Sequence, residues 1–118
     1  MESCPSPKPR VRRGDLVLLA TETVAALVGV IKALSDPIRV QMVHLLEQRP
    51  DLCTCEFEEV LGLGQSKVSY HLKILLVAGL VTRETYGTWS HYRLAQPAVV
   101  AQLELLVGAT VPRTVAAD

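Results

Sequence analysis

The sequence predicts a mainly α-helical domain with one β-hairpin, and three observations predict it. Apolar residues recur at three- and four-residue spacing along most of the chain. The segments "LVTRET" and "WSHYRL", joined across Tyr86-Gly87-Thr88, read as a hairpin. Gly62 and Gly64 set a turn between a short helical pattern and a longer one, the arrangement of a helix–turn–helix. The order is therefore helix, helix, helix–turn–helix, hairpin, helix.

The first helix is read from Asp15 to Leu34, with Leu27, Ile31 and Leu34 at spacings of four and three; "VAALVGVI" is apolar nearly all round, which implies burial on more than one side. The second opens at "SDPIRVQMVHLLEQ", where Asp36 can cap and Pro37 suits the first helical position; Ile38, Met42, Leu45 and Leu46 form its stripe. After Pro50 a short third helix offers Phe57, Val60 and Leu61 as an inner face. The fourth runs from about Gln65 to Ala78, with Val68, Leu72, Leu75 and Leu76 inward and Gly79 as the stop. Pro97 opens a last helix with Val99, Val100, Leu103, Leu106 and Val107 on one face. Residues 1–14, with Pro5, Pro7, Pro9 and four basic side chains, read as a flexible basic arm; 15–107 as the folded domain; 108–118 as a tail. The apolar faces of the first and last helices exceed what one small core can absorb, which predicts a symmetric homodimer.

Composition narrows the function. The 118 residues suffice for one domain, and aromatics at 4% imply an aliphatic core. Twelve basic and twelve acidic side chains cancel, so contact with a polyanion must come from local charge placement. No secretory signal is evident. No run approaches the roughly 18 to 20 apolar residues needed to cross a membrane. Cys4, Cys53 and Cys55 are odd in number and too few for a disulfide framework, which points to the cytoplasm and to reduced thiols. His44, His71 and His91 stand in no arrangement with a nucleophile or paired carboxylates, so an enzyme is not expected.

The second helix of a helix–turn–helix enters the major groove with its N-terminal residues against base edges. Here that helix presents Gln65, Ser66, Ser69, Tyr70 and Lys73 opposite Val68 and Leu72, with Lys67 on the flank. Gln and Ser can read base edges, and Lys73 can pair with phosphate. His71 lies close to the inward face; a hydrogen-bonded structural role is favoured there, with a DNA contact as the alternative. The hairpin would lie beside the helix as a wing, with Arg83 and Arg93 as its cations.

The run "KALSDPIRVQMVHLLEQ" followed by "LCTCEFEEVLGLGQSKVSYHLKILLVAGLVTRETYGTWSHYRL" resembles the ArsR/SmtB family of metal-responsive repressors over residues 30 to 95. The shared motifs are the "DP.R" helix start, a cysteine pair, "GQS..S.HL..L..AGLV" and a "G.W..YRL" wing. The resemblance implies a dimeric winged helix-turn-helix protein that holds double-stranded operator DNA until a metal ion releases it. The chain departs from the pattern at the wing: Thr88 stands where such proteins usually carry arginine, and "TRET" is less basic than their paired arginines.

"DLCTCEF" is similar to the "ELCVCDL" box of the arsenic, cadmium and lead branches. The chemistry agrees. In an extended segment, Cys53 and Cys55 point the same way and converge on one ion, whereas a disulfide between i and i+2 would be strained. A helix start favours thiolate, against which Glu56, Glu58 and Glu59 act. Soft thiolates select thiophilic ions. Two sulfurs leave the site incomplete, and Cys4 is the third candidate. The resemblance to cadmium/lead-responsive members implies that an arm cysteine reaches the site from the other subunit. Three sulfurs suit As(III) or Sb(III), and equally Cd(II) or Pb(II). The family's other site, on the C-terminal helix, needs histidine and carboxylate; the last helix offers only Glu104. The reading is a metal(loid)-released repressor. A thiol-oxidation sensor of the same fold and a metal-binding protein with no DNA role are its rivals.

Overall fold

The structure, a computed structural model, describes residues 10–95. Cys4, the helix opened by Pro97 and the C-terminal tail lie outside the described residues. Four helices and three strands follow in the order α1 (Thr21–Ala33), α2 (Pro37–Gln48), β1 (Leu52–Cys53), α3 (Thr54–Leu61), α4 (Gln65–Val77), β2 (Val81–Tyr86) and β3 (Trp89–Leu94).

The first helix begins at Thr21, six residues later than the apolar pattern suggested. Leu16 to Leu19 are exposed, Val17 and Leu18 almost wholly. A helix draws most of its stability from packing an apolar face, and these residues meet no core among the described residues. Along α1 itself, Val24, Leu27, Val28 and Ile31 are 42–58% exposed, and Ala33 alone is buried. Leu27 and Ile31 of the stripe are turned away from the described core, while Val30 and Leu34 pack against it.

Helix α2 starts as its residues dictate. Asp36 Oδ1 accepts from the Ile38 and Arg39 amides at 2.8 and 3.4 Å, and Pro37 follows with no amide to satisfy. Arg39 then reaches back. Its Nε donates to the Ala33 carbonyl at 2.6 Å, and Nη1 lies 3.0 Å from Nδ1 of His71 on α4. One guanidinium thus ties the end of α1 to α2 and α4.

The short strand β1 is unforeseen. It pairs antiparallel with β3, Leu52 opposite Tyr92 and Cys53 opposite His91, giving a sheet ordered β1-β3-β2. The hairpin matches expectation, with Tyr86 opposite Trp89. Gly87, at φ 62°, takes the first loop position, where a two-residue turn needs positive φ. Gly62 ends α3 at φ 66°, its amide bonded to the Glu58 carbonyl at 2.9 Å, and turns the chain into α4.

Met42, Phe57, Val68, Leu72 and Leu75 are fully buried and join α2, α3 and α4 around one centre. Tyr92 closes it from the sheet, its ring edge-on to Phe57 at 6.4 Å. Val60, expected inside, is 63% exposed, because an eight-residue helix has room for little beyond Phe57 and Leu61 on its inner side. Phe57→Ala should lower stability by about 3–5 kcal/mol. The urea midpoint measures this, and a loss under about 1 kcal/mol would contradict the packing.

Candidate thiol site and nucleic-acid interface

Cys53 is the last residue of β1 and the N-cap of α3, with φ −88° and ψ 165°. Extended backbone satisfies both positions. Cys55 is not in an extended segment, as the sequence suggested, but in the first turn of α3. The convergence survives by another route: an N-cap side chain folds back over the first turn, and the two sulfurs lie 2.7 Å apart as free thiols. Cys53 is buried and Cys55 exposed, so the pair is reached from solvent on the Cys55 side.

The cap is reciprocal. Glu56 Oε1 accepts from the Cys53 amide at 2.9 Å, and the Glu56 amide faces the Cys53 sulfur. Glu56 Oε2 also lies 3.5 Å from Arg49. The Cys53 amide holds the Glu56 carboxyl below its ordinary range. Burial pushes the Cys53 thiol up, the bond with Cys55 adds to this, and the Glu56 amide opposes it. The helix start therefore does not prevail on its own. An ion bonded to the sulfur has to displace the proton. Two thiolates fit a thiophilic ion by softness and convergence, and among the described residues no group of three metal-binding side chains forms.

Asp51, which the sequence reading passed over, precedes β1. Its Oδ1 lies 2.8 Å from His91 Nδ1 and its Oδ2 accepts from Arg93 Nη2 at 3.1 Å. His91 also stacks edge-on to Tyr86 at 5.1 Å, and Tyr86 donates its hydroxyl to Glu84. Arg93 is thus tied to β1, while Arg83 stands exposed on β2.

On α4, Gln65, Ser66, Lys67, Ser69, Tyr70 and Lys73 are all exposed, Tyr70 by 62%. The helix holds no acidic residue. Gly64 caps it without a side chain, so no side chain of the cap engages its first amides, which lie at the positive end of the helix dipole. His71 departs from this set. It is 5% exposed, and it sits against Arg39 instead of on the outer face. Arg39 was legible only as part of "DP.R"; its partners cannot be read from spacing.

The pattern of the bacterial regulatory protein, arsR family, matches residues 36–83, from the Asp36 cap through both helices of the helix–turn–helix into β2. The arsenical resistance operon repressor of Bacillus subtilis is 52% identical over 63 residues, 53% of this chain and 60% of the relative. An HTH-type transcriptional regulator of Methanocaldococcus jannaschii is 32% identical over 77 residues, 65% of this chain and 86% of the relative. This chain belongs to the arsR family. Among solved structures, the AntR antimony-specific transcriptional repressor superposes with a TM-score of 0.67 at 26% identity, covering 91% of this chain and 94% of that one. The fold is the winged helix-turn-helix of arsR-family proteins: α3 and α4 form the helix–turn–helix, and β2 and β3 form the wing. No helix among the described residues is long and apolar enough to cross a membrane.

The bonds to His91 first, and to Arg93, hold the Asp51 carboxyl below its ordinary 3.8. A folded value below the unfolded one means that its contribution is complete above pH 3.8 and is lost as pH falls through the folded value. In an NMR titration the Asp51 carboxyl should therefore show a midpoint below 3.8. A midpoint at or above that value would mean that the contacts with His91 and Arg93 are absent in solution.

Proposed function

We propose that this arsR-family protein is a homodimeric repressor that holds operator DNA when ion-free and releases it when a thiophilic ion binds Cys53 and Cys55. One observation carries the reading: the thiol pair sits where a single residue both ends β1 and caps α3. Cys53 is thereby joined through α3 and the Gly62 turn to the exposed polar face of α4, and through β1–β3 pairing to the wing.

In the DNA-bound form, Gln65, Ser66, Ser69 and Tyr70 meet base edges, Lys67 and Lys73 the phosphates, and Arg83 the backbone beside the groove. Arg93 supports the wing from its bond to Asp51. Domain 15–107 supplies both DNA binding and dimerisation, the exposed face of α1 forming part of the seam between subunits. Cys4, from the arm of either subunit, completes a three-sulfur site.

As(III) or Sb(III) is the preferred inducer. Three sulfurs suit their coordination, and relatives of this chain are arsenical and antimony repressors. Cd(II) or Pb(II) is the second choice. When Cys53 and Cys55 ligate the ion, both give up their protons and their mutual hydrogen bond, and the Cys53 cap must accommodate the change. Coupling of ~1–3 kcal/mol between cap and reading helix shifts DNA affinity about 5- to 150-fold.

A gel shift on upstream DNA tests this reading. Cys53→Ser should bind the operator as the parent does and should no longer be released by arsenite. Release of the mutant by arsenite would refute the assignment, and release of the parent by peroxide alone would favour thiol oxidation as the signal. Lys73→Ala should weaken operator binding and reduce the slope of log affinity against log salt by about one. An unchanged slope would remove Lys73 from the phosphate contacts.

A further inference from the structure

We propose that Asp51 is a positioning residue that clamps the wing to the thiol segment, so that the state of Cys53 and Cys55 reaches the wing directly as well as through α4. The inference rests on the proposed function and adds to it a route that does not use the reading helix.

The geometry starts from the size of β1. Two residues pair with β3, Leu52 with Tyr92 and Cys53 with His91, too few for a ladder to fix orientation alone. From the core side the junction is held by Leu52 and Tyr92, both buried. Strand alternation puts Asp51 and Cys53 on the other face of β1, and His91 and Arg93 on that same face of β3. There the Asp51 carboxylate spends one oxygen on each partner, His91 at 2.8 Å and Arg93 at 3.1 Å. The two partners straddle Tyr92, so the carboxylate fixes both the twist and the sliding position of β3 relative to β1.

His91 carries the contact outward. It stands directly opposite Cys53, and its ring packs edge-on against Tyr86, the residue paired with Trp89 at the wing's turn. The path from the thiol strand to the turn is therefore Asp51, His91, Tyr86. A shift of β1 on ligation of Cys53 has to move β3 or break these bonds.

The side chains of His91, Asp51 and Arg93 are 31%, 32% and 53% exposed. Ion pairs of this exposure add little to stability, so the contribution of the clamp is orientation. Its loss should change coupling far more than folding.

Trp89 is the sole tryptophan of the chain and stands at the start of β3, a native reporter for the wing. The test compares parent, Asp51→Ala and Asp51→Asn as full-length proteins, with arsenite as the probe. Thiolate–arsenic absorbance should titrate alike in all three. In Asp51→Ala the ion-free Trp89 anisotropy should fall, and the arsenite-induced change in Trp89 emission should largely vanish. The factor by which arsenite weakens operator binding should drop at least about threefold, within the range of allosteric couplings. Asp51→Asn keeps an acceptor for His91 and loses the charge toward Arg93; it should fall between the other two, and it decides the matter if the alanine variant misfolds by circular dichroism. An emission change and release factor within about twofold of the parent in the folded variants would overturn the clamp. If arsenite fails to release the parent, the proposed function falls; the clamp then stands or falls on the Trp89 emission change and anisotropy, which need no DNA.

Discussion

Residue 53 ends a strand and begins a helix, and the arrangement of the functional half of the molecule follows from that double duty. The two positions are compatible because a helix cap requires extended backbone, and the φ −88° and ψ 165° of Cys53 serve both. Each structure also limits the other. Strand β1 stops after two residues because the helical turn begins, and α3 starts where it does because β3 has fixed the preceding amino acids. Placing a reactive thiol at this point joins its chemistry to two backbones.

Charge is distributed on the same plan. A chain with no net charge can still present a polyanion with a favourable surface if its acidic groups are occupied elsewhere. Glu56 is engaged by the Cys53 amide and Arg49, Asp36 by the start of α2, and Asp51 by His91 and Arg93. Helix α4 carries Lys67, Lys73 and an open amide end, with no carboxylate of its own. The wing is the less basic partner, since Arg93 is held by Asp51 and Thr88 sits in its turn.

What could be read from the sequence was what is local. The Asp36-Pro37 start, the α4 stripe and the Gly87 hairpin each state their conformation within a few residues, and the structure has them all. Strand β1 was invisible because two residues have no periodicity and their partners lie about forty positions away. Separations of 40 and 32 positions likewise hid Asp51 and Arg39, whose partners His91 and His71 are fixed only by the fold. The apolar pattern starts α1 earlier than the structure does, because such spacing records a tendency to be buried, and among the described residues Leu16 to Leu19 meet nothing that buries them. The sulfurs of Cys53 and Cys55 lie side by side through a helix cap and not through the extended segment that the spacing suggests.

The contact between Arg39 and His71 carries a further consequence. A guanidinium can only donate, so the imidazole must offer a bare Nδ1 and keep its hydrogen on Nε2. An apolar residue at 71 would leave Arg39 Nη1 without this partner, while a short one at 39 would orphan both the imidazole nitrogen and the Ala33 carbonyl. A single exchange at either position would therefore loosen the seat of α4 while leaving its outer face chemically untouched.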